Sequence, residues 1–255
     1  MKLRRGGARW TDGCLFLVSC SGCEIGPIDA LIFDLGGTLD ADGAPWAERF
    51  RALLANADLP RLEPGAVKSA LEAGEQAVLQ HPRAAELDLA EMAHLHVSAQ
   101  LECLGAAETG LLARLCDRFV AETAGTLAGR SGLLERLADR LPLAVVSNGC
   151  GNTERLLAEA GLASFFRAIV DSSQVGFWKP DPRIFEPALT RLEVPRERVA
   201  VVGDRADRDL EAALAGGLRA VWVVGDRSLS VDDERLRGVH AVLCSVNELD
   251  PKAGL

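Results

Sequence analysis

The strongest structural signal in the sequence is the segment Ile28-Asp29-Ala30-Leu31-Ile32-Phe33-Asp34-Leu35-Gly36-Gly37-Thr38-Leu39. Its first six residues form a short apolar run, which predicts a buried β-strand. The run ends at Asp34, and the pair Gly36-Gly37 that follows indicates a turn directly after the strand. The segment therefore predicts a strand that is buried in a sheet and carries an acidic side chain at its carboxyl end.

Strands and helices alternate from residue 129 onward. Apolar runs predict five further strands, at 142–147, 167–171, 198–203, 219–224 and 240–244. Helical spacing predicts helices at 131–140, 152–161, 182–192 and 207–216. Alternation of this kind indicates a parallel sheet that helices cover on both faces. The predicted fold class is therefore α/β, with a doubly wound parallel sheet.

Residues 41–128 differ in character from the rest of the chain. They are rich in Ala, Leu and Glu and carry no strand signal. Helical spacing predicts four helices in this segment, at 46–57, 65–80, 86–104 and 108–126. The predicted organisation is therefore an α/β core made of residues 27–40 and 129–255, with an all-helical insert of residues 41–128 after the first strand.

The composition of the 255 residues excludes several classes of protein. A hydrophobic fraction of 48% with 25% charged residues is typical of a globular protein and excludes a disordered or low-complexity scaffold. The chain has 28 Lys and Arg against 37 Asp and Glu, which gives a formal net charge of −9. Nucleic acids and anionic membranes select for basic surfaces, so we expect neither of them as a partner. The sequence carries no signal for the oligomeric state.

The first 26 residues are predicted to form an extension outside the core. Basic residues at the N-terminus precede the apolar run of residues 14–20, as in an export signal, but the acidic Asp12 lies between them and the run. The run is also far shorter than the roughly 20 residues that span a bilayer. We expect an untargeted extension or an additional edge strand. The seven cysteines are odd in number and scattered, and Cys20-x-x-Cys23 has no second pair to complete a zinc site. These features favour a reduced, cytoplasmic location.

Four short motifs occur in order within residues 28–225. The first two are Phe33-Asp34-Leu35-Gly36-Gly37-Thr38-Leu39 and Val145-Val146-Ser147-Asn148-Gly149. The other two are Lys179-Pro180-Asp181-Pro182 and Val202-Gly203-Asp204, the latter followed by Asp209. Together they resemble the four motifs of the haloacid dehalogenase-like (HAD) superfamily. The helical insert lies where the small cap domain of that family lies, so the resemblance implies a Rossmann-like HAD core with an α-helical cap.

The resemblance also implies a reaction and a metal. It implies that Asp34 is a nucleophile that attacks a phosphoryl group and forms an aspartyl-phosphate. A carboxylate repels a phosphate dianion, so this attack needs a divalent cation, and Mg²⁺ prefers oxygen ligands. By resemblance, the Mg²⁺ ligands are Asp34, the backbone carbonyl of Gly36, Asp204 and Asp209.

Other motif residues are expected to contact the phosphoryl group. Ser147 and Asn148 can present a hydroxyl and backbone N–H groups to it. The compact ammonium of Lys179 can bridge the nucleophile and the phosphate oxygens where a planar guanidinium fits poorly. Only four lysines accompany 24 arginines, so a general preference for lysine does not explain this one. The predicted catalytic residues are thus Asp34, Ser147 and Lys179, and the predicted substrate contacts are Gly37, Thr38, Asn148 and Gly149.

The first motif departs from the family pattern at Gly36. Family phosphatases usually carry a second Asp at this position, which protonates the leaving alcohol and later activates water. General acid–base catalysis is typically worth about 10²–10⁴-fold in rate. Asp40 and Asp42 lie further along the chain and do not occupy the missing position. The departure leaves three hypotheses for the function.

The favoured hypothesis is a Mg²⁺-dependent phosphatase for a small phosphorylated metabolite, in which water, a good leaving group or an insert residue such as His94 or His96 supplies the proton. The second is chemistry without that acid, either dehalogenation or phosphonate cleavage with Lys68 as a Schiff base. Gly203-Asp204 speaks against a dehalogenase, because the family's dehalogenases normally have Ser-Asn there. The third is a catalytically weak phosphate-binding or regulatory protein.

Overall fold

Two β-sheets form in the part of the chain that this computed structural model describes, residues 7–11, 14–18, 24–57, 59, 62–106, 108–230 and 233–252. The first sheet is antiparallel and consists of β1 (Gly7–Thr11), β2 (Cys14–Val18) and β3 (Glu24–Ile28). The second is parallel and consists of β4 (Ala30–Phe33), β5 (Leu143–Ser147), β6 (Ala168–Asp171), β7 (Val199–Gly203), β8 (Arg219–Val223) and β9 (Ala241–Leu243). Its strand order is β6-β5-β4-β7-β8-β9, so the direction of winding reverses beside β4. The doubly wound parallel sheet is thereby confirmed.

Four α-helices form in the described part of the segment from residue 46 to residue 129. They are α1 (Trp46–Ala55), α2 (Pro64–Leu79), α3 (Leu89–Cys103) and α4 (Thr109–Gly129). The helix predicted at 86–104 begins later than expected, because Asp88 caps it. The Asp88 side chain accepts the Glu91 N–H and the Glu91 side chain accepts the Asp88 N–H, a capping box that fixes the start of α3.

This helical segment has an apolar core of its own. Phe50 of α1 and Phe119 of α4 stack with their ring centroids 4.3 Å apart, and Trp46 meets Phe119 edge-on at 4.9 Å. Buried side chains of α2 and α3, among them Leu71 and Val97, complete the cluster. Because the amphipathic helices bury their apolar faces against one another, they form a compact unit beside the sheet.

Five further helices accompany the parallel sheet, α5 (Ser131–Ala138), α6 (Thr153–Glu159), α7 (Ser172–Val175), α8 (Glu186–Leu192) and α9 (Glu211–Ala215). Successive side chains of a strand point to opposite faces of a sheet. Accordingly, Leu31 and Phe33 of β4 pack in one core with α5 and α6, whereas Ala30 and Ile32 pack in another with α8 and α9. Helices thus cover both faces, as predicted. Among the described residues, no helix combines the length and the apolar character that crossing a membrane requires.

The region before β4 differs from the prediction of one strand over residues 28–33 preceded by an untargeted extension or an additional edge strand. The chain changes sheets at Asp29, whose N–H donates to the Arg198 carbonyl at 2.8 Å, so that β4 begins only at Ala30. β1, β2 and β3 form a separate sheet because Leu15, Leu17 and Ile28 give it one apolar face that is buried on the main core. Residues 1–6 and the pair Cys20 and Cys23 lie outside the described residues.

The stability of the helical segment is expected to depend on Phe119, which is fully buried against Phe50 and Trp46. Phe119→Ala should lower the free energy of unfolding by about 3–5 kcal/mol, the usual cost of removing a buried phenyl ring. Denaturant titration followed by circular dichroism measures this change. Leu79→Ala is the control, since Leu79 is 48% exposed, and it should cost less than about 0.5 kcal/mol. Equal losses in both variants would contradict the described packing.

Candidate active site

The carboxyl ends of three neighbouring strands carry the predicted motif residues. Asp34 follows β4, Ser147 ends β5, and Asp204 follows β7. Because β4 pairs with both β5 and β7, these residues meet at the point where the winding of the sheet reverses. The Asp34 N–H donates to the carbonyl of Val202 at 2.9 Å, which extends the β4–β7 pairing up to the acid itself. Open α/β sheets bind their ligands at this point.

Lys179 connects two of the acids. Its Nζ lies 2.6 Å from Asp34 Oδ1 and 2.6 Å from Asp209 Oδ1, and it also donates to the Val146 carbonyl at 3.0 Å. The lysine is 4% exposed, so the ion pairs are shielded from water. Although burial opposes the change, the carboxylates of Asp209 and Asp34 raise the pKa of Lys179 above its usual value. The ammonium therefore stays charged and holds both carboxylates in place.

Asn148 holds the backbone of that lysine. Its Oδ1 accepts the Lys179 N–H at 2.8 Å, and its Nδ2 donates to the Lys179 carbonyl at 3.0 Å. The side chain is thus occupied in positioning the loop that carries Lys179, a role that was not predicted from the sequence. The Asn148 N–H and the Ser147 hydroxyl, by contrast, make no hydrogen bond to any described residue. Both residues border a cavity, so these two donors are available to a ligand.

Three buried carboxylates lie together at the bottom of the site. Asp34, Asp204 and Asp209 each offer one oxygen, and these oxygens lie within 4.8 Å of one another. The Oδ2 atom of Asp204 is buried and has no hydrogen-bond partner among the described residues, while its Oδ1 accepts from the Thr38 hydroxyl at 3.4 Å. An unpartnered buried carboxylate oxygen is costly, and a cation would remove that cost. The donor set consists of oxygen atoms alone, which suits Mg²⁺.

The electrostatics of the cluster also favour a bound cation. Burial raises the pKa of Asp204 to about 9, and the nearby charges of Asp34 and Asp209 add to the shift. Burial likewise raises the pKa of Asp34 to about 7, against the attraction of Lys179. Three carboxylates and one ammonium have a formal charge of −2, which a divalent cation would neutralise. The residues present therefore fit a divalent metal ion.

Two glycines allow the acids to approach one another. Gly37 has a positive φ of 97°, and a Cβ on it would lie 2.4 Å from Asp204 Oδ2. A Cβ on Gly203 would lie 2.4 Å from the Asp209 Cβ. Gly36 is different, because its φ of −78° is ordinary and a Cβ there would have its nearest neighbour, the Trp46 ring, at 3.5 Å. The backbone therefore tolerates a side chain at Gly36, the position of the missing acid.

The remaining predicted substrate contacts are occupied by internal hydrogen bonds. The Gly37 N–H donates to Asp40 Oδ1 at 2.6 Å, and the Gly149 N–H donates to the Ser172 hydroxyl at 3.1 Å. Thr38 donates its hydroxyl to Asp204, as described above. These residues shape the turns around the acids, and among the predicted contacts Ser147 and Asn148 keep donors that have no partner in the described chain.

Two further acids organise the site and were not assigned a role from the sequence. Asp40 is 1% exposed and accepts from the Gly37 N–H, from Trp46 Nε1 at 2.5 Å and from Arg49 Nη1 at 3.3 Å, so it ties the turn after β4 to α1. Asp171, at the end of β6, accepts from the Thr153 hydroxyl at 2.5 Å and supports the loop after β5. Asp171 ends a predicted strand and Asp40 lies in the turn after another, but only their burial reveals their roles.

A cavity of about 580 Å³ lies between the helical segment and the loops that follow β4 and β5, and Gly36 and Ser147, which adjoin the acidic cluster in the chain or the sheet, are among its lining residues. Residues of both parts of the chain line it, among them Gly36, Ser147, Arg208, Leu71, Met92 and His96. Of the two histidines considered as proton donors, His96 is buried and faces this cavity, whereas His94 is exposed and borders a different surface depression. Lys68 also lines the cavity, but its side chain is 76% exposed and lies 3.8 Å from Glu72.

Comparison with known proteins gives both sequence and structural relatives. The phosphoserine phosphatase of Thermus thermophilus is 44% identical over 94 residues, which are 36% of this chain and 37% of that protein. The solved structure of the HAD-hydrolase YfnB from Bacillus subtilis, bound to magnesium, aligns with a TM-score of 0.53 at 24% identity and covers 87% of this chain and 96% of that one. A dehalogenase with an intermediate complex aligns with a TM-score of 0.56 at 19% identity, over 87% of this chain and 95% of that one. At these identities the two structures show a common fold.

The family assignment rests on a longer match. The family described as haloacid dehalogenase-like hydrolase matches residues 28–217, most of the chain. The matched range contains all four motifs, from Asp34 to Asp209, and the strands that position them. The chain therefore belongs to the haloacid dehalogenase-like hydrolases.

Proposed function

We propose that the protein is a Mg²⁺-dependent phosphatase that hydrolyses a small phosphomonoester through an aspartyl-phosphate on Asp34. The observation that carries this proposal is the buried cluster of Asp34, Asp204 and Asp209, in which a single ammonium faces three carboxylates. Such a cluster is stable when a divalent cation completes it. The name of the Thermus thermophilus relative supports phosphomonoester chemistry.

Each residue of the site has a proposed role in the first step. Mg²⁺, held by Asp34, Asp204, Asp209 and the Gly36 carbonyl, would neutralise charge on the phosphoryl group. Lys179 keeps one oxygen of Asp34 fixed, and the Ser147 hydroxyl and Asn148 N–H donate to the phosphoryl oxygens. Asp34 then attacks phosphorus, a P–O bond forms, and the ester P–O bond breaks.

The proton that the leaving oxygen needs has no donor at position 36. His96 does not replace the missing acid, because its burial lowers its pKa to about 4 and leaves the ring neutral near pH 7. The leaving alkoxide therefore takes its proton from water, and the reaction rate depends strongly on how stable that alkoxide is. In the second step, water cleaves the acyl phosphate, which releases inorganic phosphate and regenerates the Asp34 carboxylate.

The helical insert of residues 41–128 is proposed to act as a cap over this site. The cavity lies between the insert and the strand ends, and Asp40 links the turn after β4 to Trp46 and Arg49 of α1. A cap that closes excludes water from the first step and limits the substrate to a small molecule. A cavity of about 580 Å³ suits a small phosphorylated metabolite.

Dehalogenation is the second candidate, favoured by the missing acid, since a halide leaves without a proton. Cleavage of a phosphonate through Lys68 is less well supported, because that lysine is exposed and paired with Glu72, whereas a Schiff-base lysine needs a desolvated environment. A binding protein without turnover is the third candidate. Phosphate release, halide release and ligand-induced stabilisation separate the three.

The Asp34 carboxylate should be indispensable for phosphatase activity. We expect Mg²⁺-dependent release of phosphate from p-nitrophenyl phosphate, a loss of at least about 10³-fold in kcat for Asp34→Asn, and a loss of activity in EDTA that Mg²⁺ restores. Asp207→Asn is the matched control, because this exposed acid pairs with Arg205 outside the cluster, and it should keep full activity. Metal-independent halide release from a 2-haloacid, with no phosphate release, would favour the dehalogenase.

Restoring the acid at position 36 should increase the rate for poor leaving groups. We expect Gly36→Asp to raise kcat/KM for an alkyl phosphate by about 10²–10⁴-fold, because the new carboxyl can protonate the alkoxide. The kcat/KM for p-nitrophenyl phosphate, which reports the first step alone, should change less than about threefold, since its leaving group needs no proton. Gly36→Asn introduces a side chain of the same size that has no acidic proton, so it should not raise kcat/KM for the alkyl phosphate. Equal gains for both esters would count against this account of Gly36.

The metal-free protein should lose stability as the pH rises. The pKa values of Asp34 and Asp204 are raised by folding to about 7 and about 9, so the folded state binds protons more tightly than the unfolded state. Its melting temperature should therefore be highest near pH 4–5 and fall up to about pH 9. Excess Mg²⁺ should abolish most of this fall, and Asp204→Asn should reduce it. A melting temperature that is independent of pH without metal would contradict the repulsion among the acids.

A further inference from the structure

The helical insert contributes one continuous surface to the cavity. The α2 residues that line it recur at intervals of three and four positions and therefore share one face of the helix, namely Lys68, Leu71, Glu72, Glu75, Val78 and Leu79. α3 adds Met92 and His96. The polar α2 residues on this surface, Lys68, Glu72 and Glu75, are exposed. His96 is polar and is nine-tenths buried, with 9% of its surface exposed.

The tautomer of His96 is fixed by a neighbour on the same helix. Gln100 Nε2 lies 2.5 Å from His96 Nδ1. With the Gln100 amide in this orientation its nitrogen donates to Nδ1, which assigns the ring proton to Nε2. The Nε2–H makes no hydrogen bond to any residue in the described part of the chain, although the ring lines the cavity. Nε2 is not among the fully buried side-chain atoms that lack a partner, so solvent reaches it, and a ligand that enters the cavity would replace that solvent.

The position of the ring is fixed by its other contacts. His96 stacks on Phe50 with the ring centroids 4.1 Å apart and the planes inclined by 16°. A Cβ on Gly74 of α2 would lie 2.2 Å from His96 Nδ1, so the absence of a side chain at this position makes room for the imidazole. Burial also keeps the ring uncharged near neutral pH. The contacts of Phe50, Gly74 and Gln100 together hold one neutral N–H donor at the wall of the cavity.

We propose that His96 is a specificity-determining residue, whose Nε2–H donates to an uncharged nitrogen or oxygen acceptor on the leaving group of the phosphate ester. The inference rests on the proposed phosphatase function. It assigns a substrate class, phosphomonoesters in which an aromatic or otherwise apolar body carries a carbonyl oxygen or a ring nitrogen.

The surroundings of His96 explain this choice of ligand. Leu71, Val78 and Met92 line the same cavity and offer an apolar surface to the body of the leaving group. A ligand that fills this space removes water from the N–H donor, so an acceptor must replace the water or the donor stays unpaired. Sites built around such a donor reject analogues that lack the acceptor far more strongly than they reject a change of shape.

The test compares benzyl phosphate with the three isomers of pyridylmethyl phosphate, four esters of nearly the same size and shape. They differ in a single ring position, where a C–H is replaced by an acceptor nitrogen. For the unmodified protein with Mg²⁺, kcat/KM for the best pyridyl isomer should exceed that for benzyl phosphate by about tenfold or more. In His96→Phe the ratio should fall by about tenfold, to the value that the stabilities of the two leaving alkoxides alone set.

Two further variants separate recognition from folding. His96→Gln keeps an N–H donor and should retain part of the preference for the pyridyl ester. His94→Phe is the matched control on the same helix, because His94 is exposed and lies outside the cavity, and it should keep the whole preference. Melting temperatures, measured for each variant, identify any loss of activity that comes from unfolding.

The outcomes distinguish this inference from the proposed function. If both esters are hydrolysed with Mg²⁺ and Asp34 but the protein shows no preference, or His96→Phe lowers both rates equally, the role of His96 is refuted and the phosphatase stands. If neither ester releases phosphate, and phosphate release from p-nitrophenyl phosphate is also absent, both the phosphatase and the role of His96 are refuted.

Discussion

The buried ammonium of Lys179, held between Asp34 and Asp209, is the interaction on which the site depends. The carboxylates of Asp34, Asp204 and Asp209 lie buried within 4.8 Å of one another and repel each other. The positive charge of the Lys179 ammonium offsets part of this repulsion. The ammonium is in turn positioned by Asn148, which binds both backbone polar groups of Lys179 and so couples the end of β5 to this loop. The fold thereby brings four separate segments of the chain to one point.

The lysine compensates for only part of the negative charge. Asp204 keeps an oxygen without a partner in the described structure, and burial raises its pKa to about 9. Under the proposed function this imbalance favours the substrate, because a divalent cation that completes the site would let a phosphate dianion approach. The free donors of Ser147 and Asn148 lie at the cavity and can hold the phosphoryl oxygens. Electrostatics, more than shape, thus explains why these residues occur together.

The sequence predicted the parts of the molecule that depend on local patterns. The alternation of strands and helices and the acids at strand ends are visible in short windows, and the structure contains them. It did not predict the change of sheet at Asp29, because the partner of β3 is set by the burial of a whole antiparallel sheet. The side-chain role of Asn148 was also missed, since its partner Lys179 is 31 residues away. The roles of Asp40 and Asp171 were not predicted either, because both roles depend on burial, which the sequence does not show.

The central claim is that Asp34 carries the phosphoryl group between the two steps, and acid quenching during turnover tests it most directly. Protein mixed with p-nitrophenyl phosphate and Mg²⁺, quenched and digested, should contain a peptide spanning Asp34 that has gained the mass of one phosphoryl group and loses it in hydroxylamine. Turnover without any such label, or a hydroxylamine-stable label on another residue, would contradict the account.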